Sequence, residues 1–216
     1  MGLLDGLRSI LGFRAEADAG RDADPEDLFG MSTAYLTMAA ELGYEAADEG
    51  ALCFGDVDSA DFREALTDVE AILAAGREET GTEFSVATDD HGYRWVIFEE
   101  ADPEDLVTSM HFAADTFVEH GYGSRLLAAV FAFEPDEALG RGGTRTDGSE
   151  ADGPVYWIYS FRRGAYYPFA PRAGHDRDST VEFRLESALD GELAVEPERE
   201  YWYPLWPSAS GRHPWE

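Results

Sequence analysis

Five histidines and one cysteine are the side chains with which this chain could ligate a metal or activate a nucleophile. Zinc sites show themselves as Cys and His at short fixed spacings, or as His-Glu-x-x-His on adjacent turns of a helix. His91, His111, His120, His175 and His213 fall in no such arrangement, and Cys53 stands alone in the apolar run Ala51-Leu52-Cys53-Phe54. A lone thiol in apolar surroundings is ordinarily an inert core residue. His111 and His120 lie nine residues apart on one expected helix, so they face different ways. A hydrolase using His111 or His175 with a nearby carboxylate is the one catalytic arrangement left open. There is no Gly-x-Ser-x-Gly turn, and Gly140-Arg141-Gly142-Gly143 lacks the lysine and the strand-to-helix setting of a phosphate cradle. Acidic pairs such as Glu99-Glu100 say nothing about acid–base catalysis in a chain this rich in carboxylates. The expectation is a protein without catalytic residues, metal or cofactor.

The other chemistry on offer is recognition. Residues 161–172, Phe-Arg-Arg-Gly-Ala-Tyr-Tyr-Pro-Phe-Ala-Pro-Arg, gather three of the sixteen arginines with several aromatics and two prolines. Arg and Tyr dominate interaction hot spots. Arg162, Arg163, Tyr166, Tyr167, Phe169 and Arg172 are therefore the candidate partner-binding residues. The plainer reading is a hairpin whose arginines pair with neighbouring carboxylates and whose rings complete the core. A second candidate lies in residues 1–13, which place Leu3, Leu4, Leu7, Ile10 and Leu11 on one helical face with Asp5, Arg8 and Ser9 opposite. Tethered by the polar linker 14–24, such a helix either packs back on its own domain or docks on a membrane surface or a partner.

These features sit in a very acidic chain: 216 residues, 45 Asp and Glu against 16 Arg, no Lys, and a formal net charge of −29. Such a domain repels itself at low ionic strength. In molar salt the Debye length falls to about 3 Å and the repulsion is screened. The expected setting is the salt-loaded cytoplasm of an extreme halophile. Nucleic acid is excluded as a partner, because phosphate contacts need clustered cations. No run of 18 apolar residues or secretory pattern is present, so a cytoplasmic protein is expected, peripheral at the membrane's inner face at most.

Positioning falls to an α+β domain spanning 25–206, after the segment 1–24 and before a tail 207–216. Asp24-Pro25 and Asp102-Pro103 are N-cap and first-turn pairs opening two helices, the first closed by Gly43. A helix from Asp58/Ser59 carries Phe62, Leu66, Val69 and Leu73 inward and closes at Gly76; a fourth opens on a Ser179/Glu182 capping box and ends at Gly191. Runs 84–88 and 93–99 flank the turn Asp89-Asp90-His91-Gly92 as a hairpin. Runs 126–133 and 155–163 are further strands, joined by a Gly-rich acidic loop at 134–153. A mostly antiparallel sheet with helices packed on it follows. Positions 24–44 and 102–122 share eight identities, all at their two ends, which fits an internal duplication and equally fits convergence on good cap chemistry.

The wording of several of these segments carries a resemblance. MGLLDGL, DDHGYRWVIFE, EHGYGSRLLAAVFAF, RRGAYYPFAPR and YWYPLW, in this order over nearly the whole chain, resemble the PspA-associated protein family PspAB. The resemblance implies association with PspA, the membrane-stress coiled coil of the phage-shock response, and a link to HtpX-like membrane-embedded zinc proteases. It supplies no catalytic residues. Beside it, the layout looks loosely like the type III secretion chaperone or YbjN-like fold, which says little about function. The expected function is a non-enzymatic adaptor or regulator of the membrane-stress response. It would bind a PspA-like protein or an HtpX-like membrane protease. The alternative is a chaperone-like peptide-binding module with no membrane role.

Overall fold

The computed structural model describes residues 24–55, 60–89, 91–136, 153–208 and 212–216. The candidate helix 1–13, the linker through residue 23, the Asp58/Ser59 helix start and the loop residues 137–152 lie outside the described residues.

Asp24 caps the first helical segment, its carboxylate accepting the Glu26 amide while Pro25 fills the first turn. The segment runs as a 3₁₀ turn Pro25–Gly30, helix α1 Met31–Thr37 and a π turn Met38–Leu42, closed by Gly43 at φ 69°. Helix α2 spans Ala60–Thr80. It continues through Gly76, which was expected to end it; the left-handed position that closes the segment is Gly81, at φ 79°. A single interior glycine costs about 1 kcal/mol, which a helix of this length tolerates. Helix α3, Pro103–Glu119, is capped by Asp102, which accepts from Glu104 and Asp105. Helix α4, Ser179–Ala188, is capped by Asp178, whose carboxylate takes the Thr180 and Val181 amides. The expected Ser179/Glu182 box does not form, because Glu182 turns inward to Arg177 and the Ala170 amide.

The strands are β1 Tyr44–Phe54, β2 Glu83–Thr88, β3 Arg94–Glu99, β4 Leu126–Pro135, β5 Val155–Ser160, β6 Ala165–Phe169, and a short ribbon of β7 Pro171–Arg172 and β8 Asp176–Arg177. The first six form one sheet, ordered β2-β3-β1-β4-β5-β6, with every neighbouring pair antiparallel. The fold is α+β, as expected. Each of the two Asp-Pro-Glu-Asp-Leu segments opens a helical segment that leads into a central strand, β1 or β4, and these two strands pair with each other. The paths then diverge: β1 is followed by α2 and the edge strand β2, whereas β4 pairs with its successor β5.

Strand alternation divides the core into two layers. On the helical side, Leu52, Phe54, Phe98, Phe131, Phe133, Trp157 and Tyr159 meet α1, α2, α3 and α4. There is little clearance: a Cβ on buried Gly50 would lie 2.8 Å from Met110 Sδ and 3.3 Å from the Val130 carbonyl. On the other side, Cys53, Trp95, Val130, Tyr156, Ile158, Tyr167 and Phe169 are covered by Trp202 and Trp215. The residues expected as a C-terminal tail thus include a buried Trp215, whose Nε1 donates to Glu49 Oε2 at 3.2 Å. Glu49 shares the parity of Ala51 and Cys53, so alternation along β1 turns it to this side.

Candidate functional site

The Arg/aromatic segment folds as β6 and its flanks, and alternation sends its rings to opposite layers. Tyr166 enters the helical core, where its hydroxyl is 3.0 Å from the Asp27 carbonyl and 3.1 Å from that of Leu28. Tyr167 enters the other core and donates to the Tyr203 carbonyl at 3.0 Å, and Phe169 is buried beside it. All three rings are therefore held inside the domain.

The arginines differ in how they are held. Arg163 Nε donates to Glu196 Oε2 at 2.8 Å, with the guanidinium 3.8 Å over Tyr201. Arg172 pairs with Asp178 at 2.6 Å and is more than half exposed; Arg162 is half-buried. Of these three arginines only Arg172 is more than half exposed, and it lies beyond the opposite end of β6 from Arg162 and Arg163. The sequence motif left out the residue that organises the region. Arg177 donates from Nε to Glu182 at 2.8 Å, from Nη1 to the Trp202 carbonyl at 2.7 Å and from Nη2 to the Pro168 carbonyl at 3.2 Å.

The histidines are dispersed. His120 pairs with Asp68 at 2.9 Å between α3 and α2. His213 Nδ1 lies 3.1 Å from the Tyr156 hydroxyl, and its ring stacks on Trp215 at 4.7 Å. His175 is exposed at φ 61°, against Trp206. His111 is buried, its ring 4.6 Å from Phe29. No group of three or more metal-ligating side chains exists among the described residues. A cavity of ≈ 60 Å³ lies between the sheet and the C-terminal segment, lined by Cys53, Trp95, Tyr167, Leu205, Trp206 and Pro214 among others. Ligand pockets run to about 300 Å³ and more, so this one holds about two waters.

The surface that stands apart is on the helices. Residues 28–40, LFGMSTAYLTMAA, contain no charge in a chain that is 28% charged. The buried members are Leu28, Met31, Ala34, Tyr35 and Met38; the exposed ones include Phe29, Thr33, Leu36, Ala39 and Ala40. Leu36 is 73% exposed and Phe29 40%, and across the Phe29–His111 contact α3 adds Phe112 at 50%. Single exposed apolar residues need no explanation; here Phe29 and Leu36 lie seven residues apart on one uncharged helical segment. Cap and periodicity signals mark this segment only as a helix; the sequence signal for its exposed side is the missing charge.

The architecture is that of an α+β protein, one antiparallel sheet with four helices on it, the first helical segment uncharged from Leu28 to Ala40. The family model for PspA associated protein B matches residues 1–215, and the chain belongs to that family. The family name points to a role linked to PspA. No curated protein and no solved structure matches the chain. No helix among the described residues is long and apolar enough to cross a membrane.

Proposed function

We propose that this protein is a non-enzymatic adaptor of the membrane-stress response, working at the cytoplasmic face of the membrane and binding a PspA-like scaffold. An HtpX-like membrane protease is the second partner considered. The observation that supports this reading best is the neutral face of Phe29, Leu36 and Phe112 on a chain of net charge −29. An amphipathic helix of a partner would lay its apolar side there. Arg162, Arg163 and Arg172 form the polar contact, and Leu3, Leu4, Leu7, Ile10 and Leu11 the contact with membrane or partner. The test is affinity capture of the tagged chain from cross-linked cells kept in molar salt. Recovery of a PspA-like or HtpX-like protein is the expected result; a clean preparation with neither rejects the proposal.

The peptide-binding alternative is favoured by the edge strand β2, which among the described residues pairs only with β3 and is largely exposed. Binding by strand addition would be lost on Val86→Pro and kept on Leu36→Glu, the reverse of the adaptor's behaviour.

The charge itself is read as adaptation to molar salt. The thermal midpoint is expected to rise between about 0.1 M and about 1 M salt, as the Debye length shrinks from about 10 to about 3 Å. A flat or falling midpoint would remove this part of the account.

A further inference from the structure

We infer that, in the isolated protein, the apolar side of residues 1–13 covers the neutral face formed by Phe29, Leu36 and Phe112. Three observations converge on this occupant. The first is apolar complementarity. Leu3, Leu4, Leu7, Ile10 and Leu11 form one stripe, and Phe29, Thr33 and Leu36 form another at helical spacing, extended sideways by Phe112.

The second is charge. Residues 1–14 hold two Arg, Arg8 and Arg14, against one Asp, Asp5, in a chain of net −29. The helical segments that carry these residues also carry the exposed carboxylates of Glu26, Glu41, Asp115 and Glu119. Most other segments of this chain, being acidic, would be repelled by them.

The third is reach. Residues 14–23 join the stripe directly to Asp24, the cap of the helical segment that carries the face. Ten residues of chain span about 17 Å on average. Phe29 lies about 10 Å along the segment and Leu36 about 20 Å. Tethering at this range gives an effective concentration in the millimolar range.

The same leucines cannot cover this face and also engage a membrane or a partner. Docking elsewhere would therefore uncover Phe29, Leu36 and Phe112. The contact does not depend on PspA being the partner.

The single native Cys53 is buried, so a reporter cysteine is labelled selectively. Thr33→Cys places one on the face. Its maleimide labelling in the full chain, in molar salt, is compared with that of the same variant carrying Leu7→Glu and Leu11→Glu. A cover in place about nine-tenths of the time predicts about tenfold faster labelling once the glutamates are present. A reporter at exposed Glu64→Cys on α2 should not change, which checks that the fold is intact. Leu7→Ala, a milder change, should give a smaller acceleration. Equal rates at Thr33→Cys with and without the glutamates would overturn the inference. So would protection that disappears on dilution, since a second copy would then be the cover. Loss of partner capture with this acceleration intact would reject the adaptor proposal alone.

Discussion

Titrated upward in molar salt, the protein should unfold cooperatively within about two pH units above the ordinary tyrosine pKa of about 10. Tyr35, Tyr156, Tyr166 and Tyr167 are buried, and burial is the largest cause raising each phenol's pKa well above its ordinary value. For Tyr156 the charges of Glu216, Glu134 and Glu49 push the same way. Below the unfolded-state value both states keep these protons and the contribution to stability is fully present. Above it the unfolded chain releases protons that the folded chain retains, so stability falls as pH climbs toward the raised folded values. The slope is about 1.4 kcal/mol per pH unit for each such group, or about 5.5 kcal/mol per unit for four. Against a total stability of about 5–15 kcal/mol, that is decisive. Tyrosinate absorbance and near-UV circular dichroism should change in one step. Gradual titration of these four phenols with the tertiary signal intact would contradict the prediction.

Arg177→Met should be the most damaging single substitution near the Arg/aromatic segment, lowering stability by about 3–5 kcal/mol. The Arg177 side chain is 22% exposed and its partner Glu182 only 4%. Removing the guanidinium leaves that buried carboxylate with the Ala170 amide at 3.1 Å as its remaining contact of those described, and strips a donor from the Pro168 and Trp202 carbonyls. Breaking one side of a buried pair costs more than the pair contributes, because the other charge stays buried. Replacing both partners, Arg177→Met with Glu182→Met, should recover most of the loss. Denaturant midpoints measure both, and a loss below about 1 kcal/mol for Arg177→Met would contradict this reading.

The sequence was readable where structure is decided locally. Asp24-Pro25 and Asp102-Pro103 start helices because a carboxylate, a preset φ and free amides are all within one turn. It was unreadable where a distant residue decides. Glu182 left its capping role because Arg177 and the Ala170 amide claimed it. Strand β1, central to the sheet, went unread because its first half, Tyr-Glu-Ala-Ala-Asp-Glu-Gly, lacks apolar alternation and contains an irregular stretch between Ala46 and Gly50. Only its last residues, Ala51–Phe54, announced themselves. Trp215, isolated among Gly, Ser, Arg and Pro, shows no period, so its burial on the sheet had no local signal.

The candidate site was legible by residue type and not by direction. The Arg/aromatic run holds the residues that recognition uses, yet Tyr166 and Tyr167 serve opposite cores and of its arginines only Arg172 is more than half exposed. The charge-free run 28–40 was visible in the sequence, but which of its residues point outward is settled by packing against β4 and α3.

The central claim, that this neutral helical face is where a PspA-like partner binds, is tested most directly by an affinity measurement. The purified full chain would be titrated with the purified PspA-like protein of the same cell, in molar salt, beside the variant carrying Leu36→Glu and Phe112→Glu. Both residues are half-exposed or more, so the substitutions should leave the thermal midpoint unchanged. The account predicts binding by the native chain and a loss of about thirtyfold or more in the variant, as expected when hot-spot residues are removed. No binding by the native chain, or equal binding by both, would contradict it.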